Sequence, residues 1–309
     1  MPTEQDVRPV TEPIEHITSP VLKGNPEELR DLEAGLDNLQ SDTQRKAGID
    51  WKRVLLPVAA LVVLILAWQF YVSLGLKRRD LVPGPFDVFA QMVTLWGEGK
   101  VQESVWTSLQ RGLIGFLISV VIATPVGLLL AQVAPLRRAF GPLISGLQVL
   151  PSVAWVPAAI IWFGLTDATV YFVVFMGAIP SIINGLISGV DQIPPQYRSV
   201  GKVLGASRLQ MALQIVLPAA LPGYLGGLKQ GWAFSWRSLM AAEIIATGGT
   251  IGFGLGSLLD QGRLLADMSV VMSAILLILA VGILVELLVF GPIEKRLLQR
   301  RGLLAGSTR

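Results

Sequence analysis

Six apolar segments of roughly 21 residues or more leave this chain few ways to fold. They cover 54–74, 109–133, 143–163, 169–190, 221–245 and 268–290. A helix rises 1.5 Å per residue, so about 20 residues cross a hydrocarbon core of about 30 Å. Inside lipid a segment must satisfy its own backbone hydrogen bonds, which selects helices over open strands. The expected fold is an all-α membrane protein with six transmembrane helices. Composition agrees: 52% of residues are hydrophobic and only 15% charged, against about 25% charged in soluble domains.

Charge then sets the topology. Residues 1–50 carry 11 acidic and 5 basic side chains, whereas the remainder carries 11 acidic and 20 basic. The basic excess sits in short loops, which reads as membrane orientation and not as a nucleic-acid-binding face. Lys52, Arg53, Arg137, Arg138, Arg198, Lys202, Arg208, Lys295, Arg296, Arg300 and Arg301 fall in alternate connections and at both ends. Lys77, Arg78, Arg79, Lys100 and Arg263 fall in the others. The larger group marks the cytoplasmic side, so both termini are expected in the cytoplasm. The first fifty residues are polar, and the apolar run from Val54 is too long for the core of a cleavable signal. It is expected to act as a membrane anchor.

Three parts follow: an acidic tail over 1–50, a membrane domain over 51–303, and a short tail over 304–309. Within the first, Asn25 and Pro26 suit a helix start, and Leu29, Leu32, Leu36 and Leu39 recur at helical spacing over 26–40. That stripe fits either a partner-docking helix or a marginal helix that frays alone. Its short length favours the second.

Several chemistries are excluded. There is no cysteine, and the single histidine, His16, lies in the polar tail. A thiolate or histidine metal site is therefore not expected, and neither is a histidine base. A phosphate-binding loop needs G-x-x-x-x-G-K-[ST]. Gly201-Lys202 is followed by Val203, and the run Gly248–Gly256 holds no lysine. The chain is thus expected to carry no cofactor and no catalytic residue of its own.

The connection between the fourth and fifth segments, 194–218, is long for a loop. Pro194-Pro195 marks a stop, Gly205 breaks a short helical stretch, and a second stretch, 209–217, should end before Pro218. Two short helices with a glycine turn are expected on the cytoplasmic face, where one can lie in a groove of a soluble partner. Gly205, Ala206, Ser207, Ile215, Leu217 and Pro218 stand at the spacing Gly, nine residues, Ile-x-Leu-Pro.

That spacing resembles the coupling signature of bacterial ABC importer permeases, with Ser199-Val200-Gly201 where the family commonly has Glu-Ala-Ala. The likeness extends over roughly 51–301. Thr107–Gly112, Leu150–Pro157, Trp162–Leu165, Ala241-Ala242-Glu243 and Gly252–Gly256 resemble the branch that imports nitrate, taurine, alkanesulfonates or bicarbonate. The resemblance implies a type I importer permease with a cytoplasmic coupling helix in a bacterial inner membrane. It further implies two ATPase subunits that hold ATP and magnesium, a second permease copy and an external solute-binding protein. An aliphatic sulfonate ranks first as cargo, then taurine, nitrate and bicarbonate. A secondary carrier or channel is the rival class, although no internal repeat of the kind carriers show is visible.

Ionisable residues inside a span are expensive and point to function by default. Arg237 and Glu243 share the fifth segment but stand about 120° apart around it. Arg237 either attracts an anionic solute, pairs within the bundle or snorkels outward. Trp232, Trp236, Leu239 and Glu243 form one stripe, which faces a second copy or the bundle interior. Arg237, Glu243, Trp236 and Trp155 are the pathway candidates. Pro151 and Pro157 should break the third segment. Gly112, Gly115, Gly185 and Gly189 should allow close helix contacts. Glu286 is expected as an interfacial anchor near Lys295 and Arg296, and Arg111 at the start of the second span is open to either reading.

Overall fold

The computed structural model describes residues 51–301 apart from Arg79. The acidic tail, its expected helix over 26–40 and the segment 304–309 lie outside the described residues. Contacts divide the chain after Val63, and the packing below is that of the unit from Leu64 onward.

Among the described residues the regular structure is helical. In chain order it comprises α1 (Trp51–Ser73), α2 (Pro85–Gly97), α3 (Lys100–Gln132), α4 (Ala134–Val149) and α5 (Val156–Phe163). Then come α6 (Asp167–Asp191), α7 (Pro195–Val203), α8 (Arg208–Ile245), α9 (Leu255–Leu264) and α10 (Met268–Arg300). By length and composition α1, α3, α6, α8 and α10 could each cross a membrane, and α4 with the bent run that follows it counts as a sixth if the pair forms one span.

The break falls at Pro151 alone, because Pro157 sits in the first turn of α5, where no backbone N–H is needed. A helix cannot bond through Pro151, and the residue before a proline avoids helical backbone angles. Leu150 is extended, a 3₁₀ turn runs from Ser152 to Trp155, and the helical run Ser152–Phe163 departs from α4 by 95°. The third segment is therefore two half-helices and not one straight span.

Three helices outrun their expected lengths. α3 starts at Lys100, nine residues early, because Val101 joins Leu95, Leu258, Val270 and Ala274 in a small apolar cluster. α8 passes straight through Pro218 instead of stopping before it. A π-helical turn, Met211–Val216, shifts the bonding register, so Pro218 falls in the first turn of the α-helical part beginning at Leu217. There no backbone N–H is needed. α10 repeats the device: the π turn Glu286–Phe290 delivers Pro292 into the first turn of the segment from Gly291.

The core is the pair α6 and α8, with α3 across them. The pair is antiparallel, and small residues meet along its seam. A Cβ on Gly185 would strike the backbone of Gly227, and one on Gly223 would come within 2.7 Å of the Gly189 Cα. Further along, a Cβ on Gly231 would meet Ile182 at 2.5 Å. Gly185 and Gly189 thus make the expected close contact, and their partners are Gly223 and Gly227. Where lipid replaces water, such backbone approach and van der Waals packing drive helix association. On α3, Gly115 abuts Val174 of α6, and Gly112 lies under Trp236 and Leu239 of α8.

Gly227→Leu is expected to force α6 and α8 apart. Overpacking of this kind costs on the order of 1–3 kcal/mol. The thermal unfolding midpoint of the detergent-solubilised protein should fall, and an unchanged midpoint would remove the seam from the account.

Candidate functional site

The connection expected to carry coupling is a rigid elbow built from two end motifs. α7 closes on Gly205, whose φ of +73° few residues other than glycine adopt. The Gly205 N–H donates to Lys202 O at 3.0 Å and the Ala206 N–H to Gly201 O at 2.9 Å. That is the bond pattern of a Schellman turn. Ser207 at once caps α8: the Gln210 N–H donates to Ser207 Oγ at 3.3 Å, and the Ser207 N–H donates to Gln210 Oε1 at 2.8 Å. This reciprocal capping box is present in the sequence as Ser-x-x-Gln, a signal that spacing to the glycine turn alone does not use.

Gly201 sets the elbow's inner angle. A Cβ there would come within 2.5 Å of Ile215 and 2.7 Å of Met211. Ser199 and Val200 sit on the same helix and face outward, while Ile215 and Leu217 lie on α8 beside it. Leu217 and Pro218 mark the return to α-helical register. Pro222 has no N–H to give Pro218 O, and Arg301 donates to that carbonyl instead, as well as to Ala219 O. Outside, Val203 is 87% and Leu204 77% exposed, with Leu209 beside them at 67%. These three side chains form an exposed apolar patch on a turn that also carries Lys202 and Arg208.

At the opposite end of α8 lies a buried ion pair. The Glu243 carboxylate is fully enclosed and accepts from Ser108 Oγ at 2.7 Å, the Gly256 N–H at 3.0 Å and Arg111 Nη1 at 3.3 Å. Arg111 also donates to Gly252 O at 3.1 Å and to Asp167 Oδ1 at 2.6 Å. Ser108 Oγ accepts from the Leu255 N–H at 2.8 Å. Gly254 has no side chain with which to cap α9, so Ser108 and Glu243 satisfy its first two N–H groups from other helices. Gly254 must itself be glycine, because a Cβ there would collide with the Glu243 carboxylate. The network joins α3, α6, α8 and α9, and it decides between the two readings of Glu243: the side chain is an ion partner inside the bundle. Arg111, left open from sequence, is its counter-charge.

The other candidates are arranged as follows. Trp236 is buried, stacks on Trp232 at 5.9 Å between ring centroids and donates its indole N–H to Ile278 O at 3.3 Å. Trp155 is half-buried in the 3₁₀ turn, edge-on to Phe172. Arg237 faces outward, 4.9 Å from the Phe234 ring centroid, on the wall of a cavity of about 370 Å³ at the α4–α5 break. Glu286 does not bond to Lys295 or Arg296. It pairs with Lys229 of α8 at 2.7 Å, and Lys229 also holds Glu294 at 2.9 Å. Sequence reasoning passes over Lys229. Among the described residues no cluster of three or more His, Cys, Asp or Glu side chains could hold a metal ion.

An all-helical bundle with a broken third crossing and a helical elbow before the penultimate span is the architecture of a type I ABC importer permease. A chain of the inward-facing MetNI methionine ABC transporter shares this fold, with a TM-score of 0.56 and 20% identity over 64% of this chain and 96% of that one. Residues 123–299 match the family of binding-protein-dependent transport system inner membrane components. The bicarbonate transport system permease protein CmpB of Synechococcus elongatus is 32% identical over 75% of this chain and 86% of its own length. The taurine transport system permease protein TauC of Escherichia coli is 29% identical over 81% and 89%. The nitrate import permease protein NrtB of a Synechocystis species is 30% identical over 65% and 75%. The chain belongs to the family of binding-protein-dependent transport system inner membrane components.

Glu243→Ala is expected to take the enclosed carboxylate from Arg111 Nη1, with Asp167 still on Nη2, and to leave the Ser108 and Gly256 donors unpaired. Removing one member of a buried pair costs about 3–5 kcal/mol, whereas replacing both by apolar groups is close to neutral. Denaturation in detergent should show a large loss for Glu243→Ala and recovery in the Arg111→Met, Glu243→Leu double variant. A single variant as stable as the parent would show that the pair holds nothing together.

Proposed function

We propose that this chain is the transmembrane subunit of an ATP-driven importer for a small anion, and that ATP and magnesium are bound by a separate subunit docked on the elbow. The observation that carries this reading is the elbow itself. Its turn is pinned by backbone bonds at Gly205 and by the Ser207 cap, and it holds Val203, Leu204 and Leu209 out to solvent. Such a knob suits a groove on a motor subunit, and α8 suits transmission, because it runs unbroken from Arg208 to Ile245. Ser199, Val200, Gly201, Gly205, Ala206, Ser207, Ile215, Leu217 and Pro218 are the coupling residues of this proposal.

The assembly would contain two ATPase subunits, a second copy of this chain and an extracytoplasmic solute-binding protein, in a bacterial inner membrane with both termini cytoplasmic. The tail over 1–50 then lies on the ATPase side. An anion is favoured as cargo because relatives carry bicarbonate, taurine and nitrate in their names, and because Arg237, exposed on α8, borders the groove at the α4–α5 break. Aliphatic sulfonates rank first, ahead of taurine, nitrate and bicarbonate. Arg237 and Trp155 remain the pathway candidates, with Trp236 supporting the α8 wall from behind.

Leu204→Asp tests the docking. At 77% exposure the side chain contributes little to the fold, so the variant should express and unfold like the parent. A charge set into an apolar contact should lower recovery of the co-expressed ATPase about tenfold or more. Undiminished recovery would move the docking site elsewhere.

A further inference from the structure

The end of the bundle remote from the elbow carries a helix with three distinct faces. α2 lies between the end of α1 and the start of α3, and that start is about two turns from Ser108, the partner of Glu243. At about 100° per residue, Val88, Met92 and Leu95 share one face. Val88 and Leu95 are buried, and Leu95 joins Val101, Leu258, Val270 and Ala274. Asp87, Ala90 and Thr94 make a second face, exposed and small or polar. Phe86, Phe89, Val93 and Trp96 make the third, within about 80° of arc. Each is between 57% and 78% exposed, so no described residue covers them.

Side-chain bonds pin α2 at one level along its length. Before its start, the Trp68 indole of α1 donates to Pro83 O at 3.2 Å, close to where α1 ends at Ser73. In its first turn, Val88 O accepts from Ser273 Oγ at 3.1 Å, near the start of α10. At its end, Gln102 Nε2 of α3 donates to Trp96 O at 3.0 Å, beside the Glu98–Lys100 ion pair at 2.8 Å. α2 therefore lies across the bundle where α1 ends and α3 and α10 begin, instead of running alongside them. Charged and amide groups appear at that level because the apolar spans stop there.

We infer that the third face is a lipid-binding surface: α2 lies in the plane of the membrane interface, with Phe86, Phe89, Val93 and Trp96 among the acyl chains just below the phospholipid headgroups and with Asp87 and Thr94 in water. A helix that is apolar on one side and polar on another settles at that boundary. The flanking helices continue the same belt. Tyr71 is exposed near the end of α1, and Trp106 is exposed early in α3, and tyrosine and tryptophan concentrate at membrane–water interfaces. Three hydrocarbon side chains and one indole suit lipid, whereas a protein partner would find few hydrogen-bonding groups on them. The face is then closed to any soluble partner that meets this end of the bundle. The inference requires that the bundle span a membrane and uses nothing of ATP, cargo or a motor subunit.

The chain has no cysteine, so nitroxide labels can be placed singly through Phe89→Cys, Val93→Cys, Ala90→Cys and Thr94→Cys. All four positions are exposed, so the fold loses little packing. With the full chain in vesicles of palmitoyl-oleoyl phosphatidylcholine, collision with oxygen, which dissolves in lipid, is compared with collision with a water-soluble nickel chelate. Labels replacing Phe89 and Val93 should favour oxygen and report a depth of about 5–10 Å below the lipid phosphates. Labels replacing Ala90 and Thr94 should favour nickel. Because the same label is used throughout, a difference that follows the helix turn reports the face and not the label. Equal nickel access at all four positions overturns the assignment. So does dipolar broadening between labels replacing Phe89, since a second copy would then cover the face. Nickel access at Phe89 and Val93 that is lost only on adding an external solute-binding protein overturns it as well, and gives the face to that protein. None of these outcomes touches the importer reading, because no ATP, cargo or motor subunit enters the measurement.

Discussion

The packing of the bundle is referred to the line along which α6 and α8 touch backbone to backbone. Gly185 against Gly227 and Gly189 against Gly223 allow no side chain between them. These helices also flank the elbow, α6 ending at Asp191 and α8 beginning at Arg208. The seam therefore fixes the two points from which the elbow hangs. α8 is about 57 Å long at 1.5 Å per residue. Its near end bears the Ser207 cap and its far end bears Glu243. In the proposed coupling, a displacement applied at the elbow would pass along a helix that packs through glycines on one face and holds a buried ion pair beyond them.

The charged groups within the bundle divide by how their hydration is replaced. Arg111 is enclosed, and Glu243, Asp167 and the Gly252 carbonyl take the place of water. Lys229 is tied between Glu286 and Glu294, joining α8 to α10 across the second π turn. Arg237 follows neither pattern. It stands on α8 at the edge of the cavity, with the Phe234 ring beside it and no carboxylate against it. The first two arrangements hold helices together, and the third is left facing a space.

What could be read from the sequence is what depends on local pattern. Long apolar runs, the Pro151 break, the glycine at the elbow and the close-packing glycines all act through their own backbone or their immediate neighbours. The elbow was legible for the same reason, down to the unused Ser207-x-x-Gln210 box. Pairings across the chain were not. Arg111 and Glu243 are 132 residues apart, and periodicity around α8 alone put Glu243 on a stripe without saying which helix covers it. Lys229 was hidden because a single lysine in an apolar run has no local partner. Pro218 reads as a stop because propensity assumes an α-helical register, whereas the π turn before it removes the conflict.

The central claim is that solute movement through this chain is driven by nucleotide hydrolysis on another polypeptide. The direct measurement is uptake of labelled butanesulfonate into proteoliposomes holding this chain with its ATPase, the binding protein outside and ATP trapped within. The account predicts concentrative uptake that requires internal ATP and vanishes when the ATPase subunit is left out. Uptake by the chain alone, driven by a proton or sodium gradient and indifferent to ATP, would contradict it.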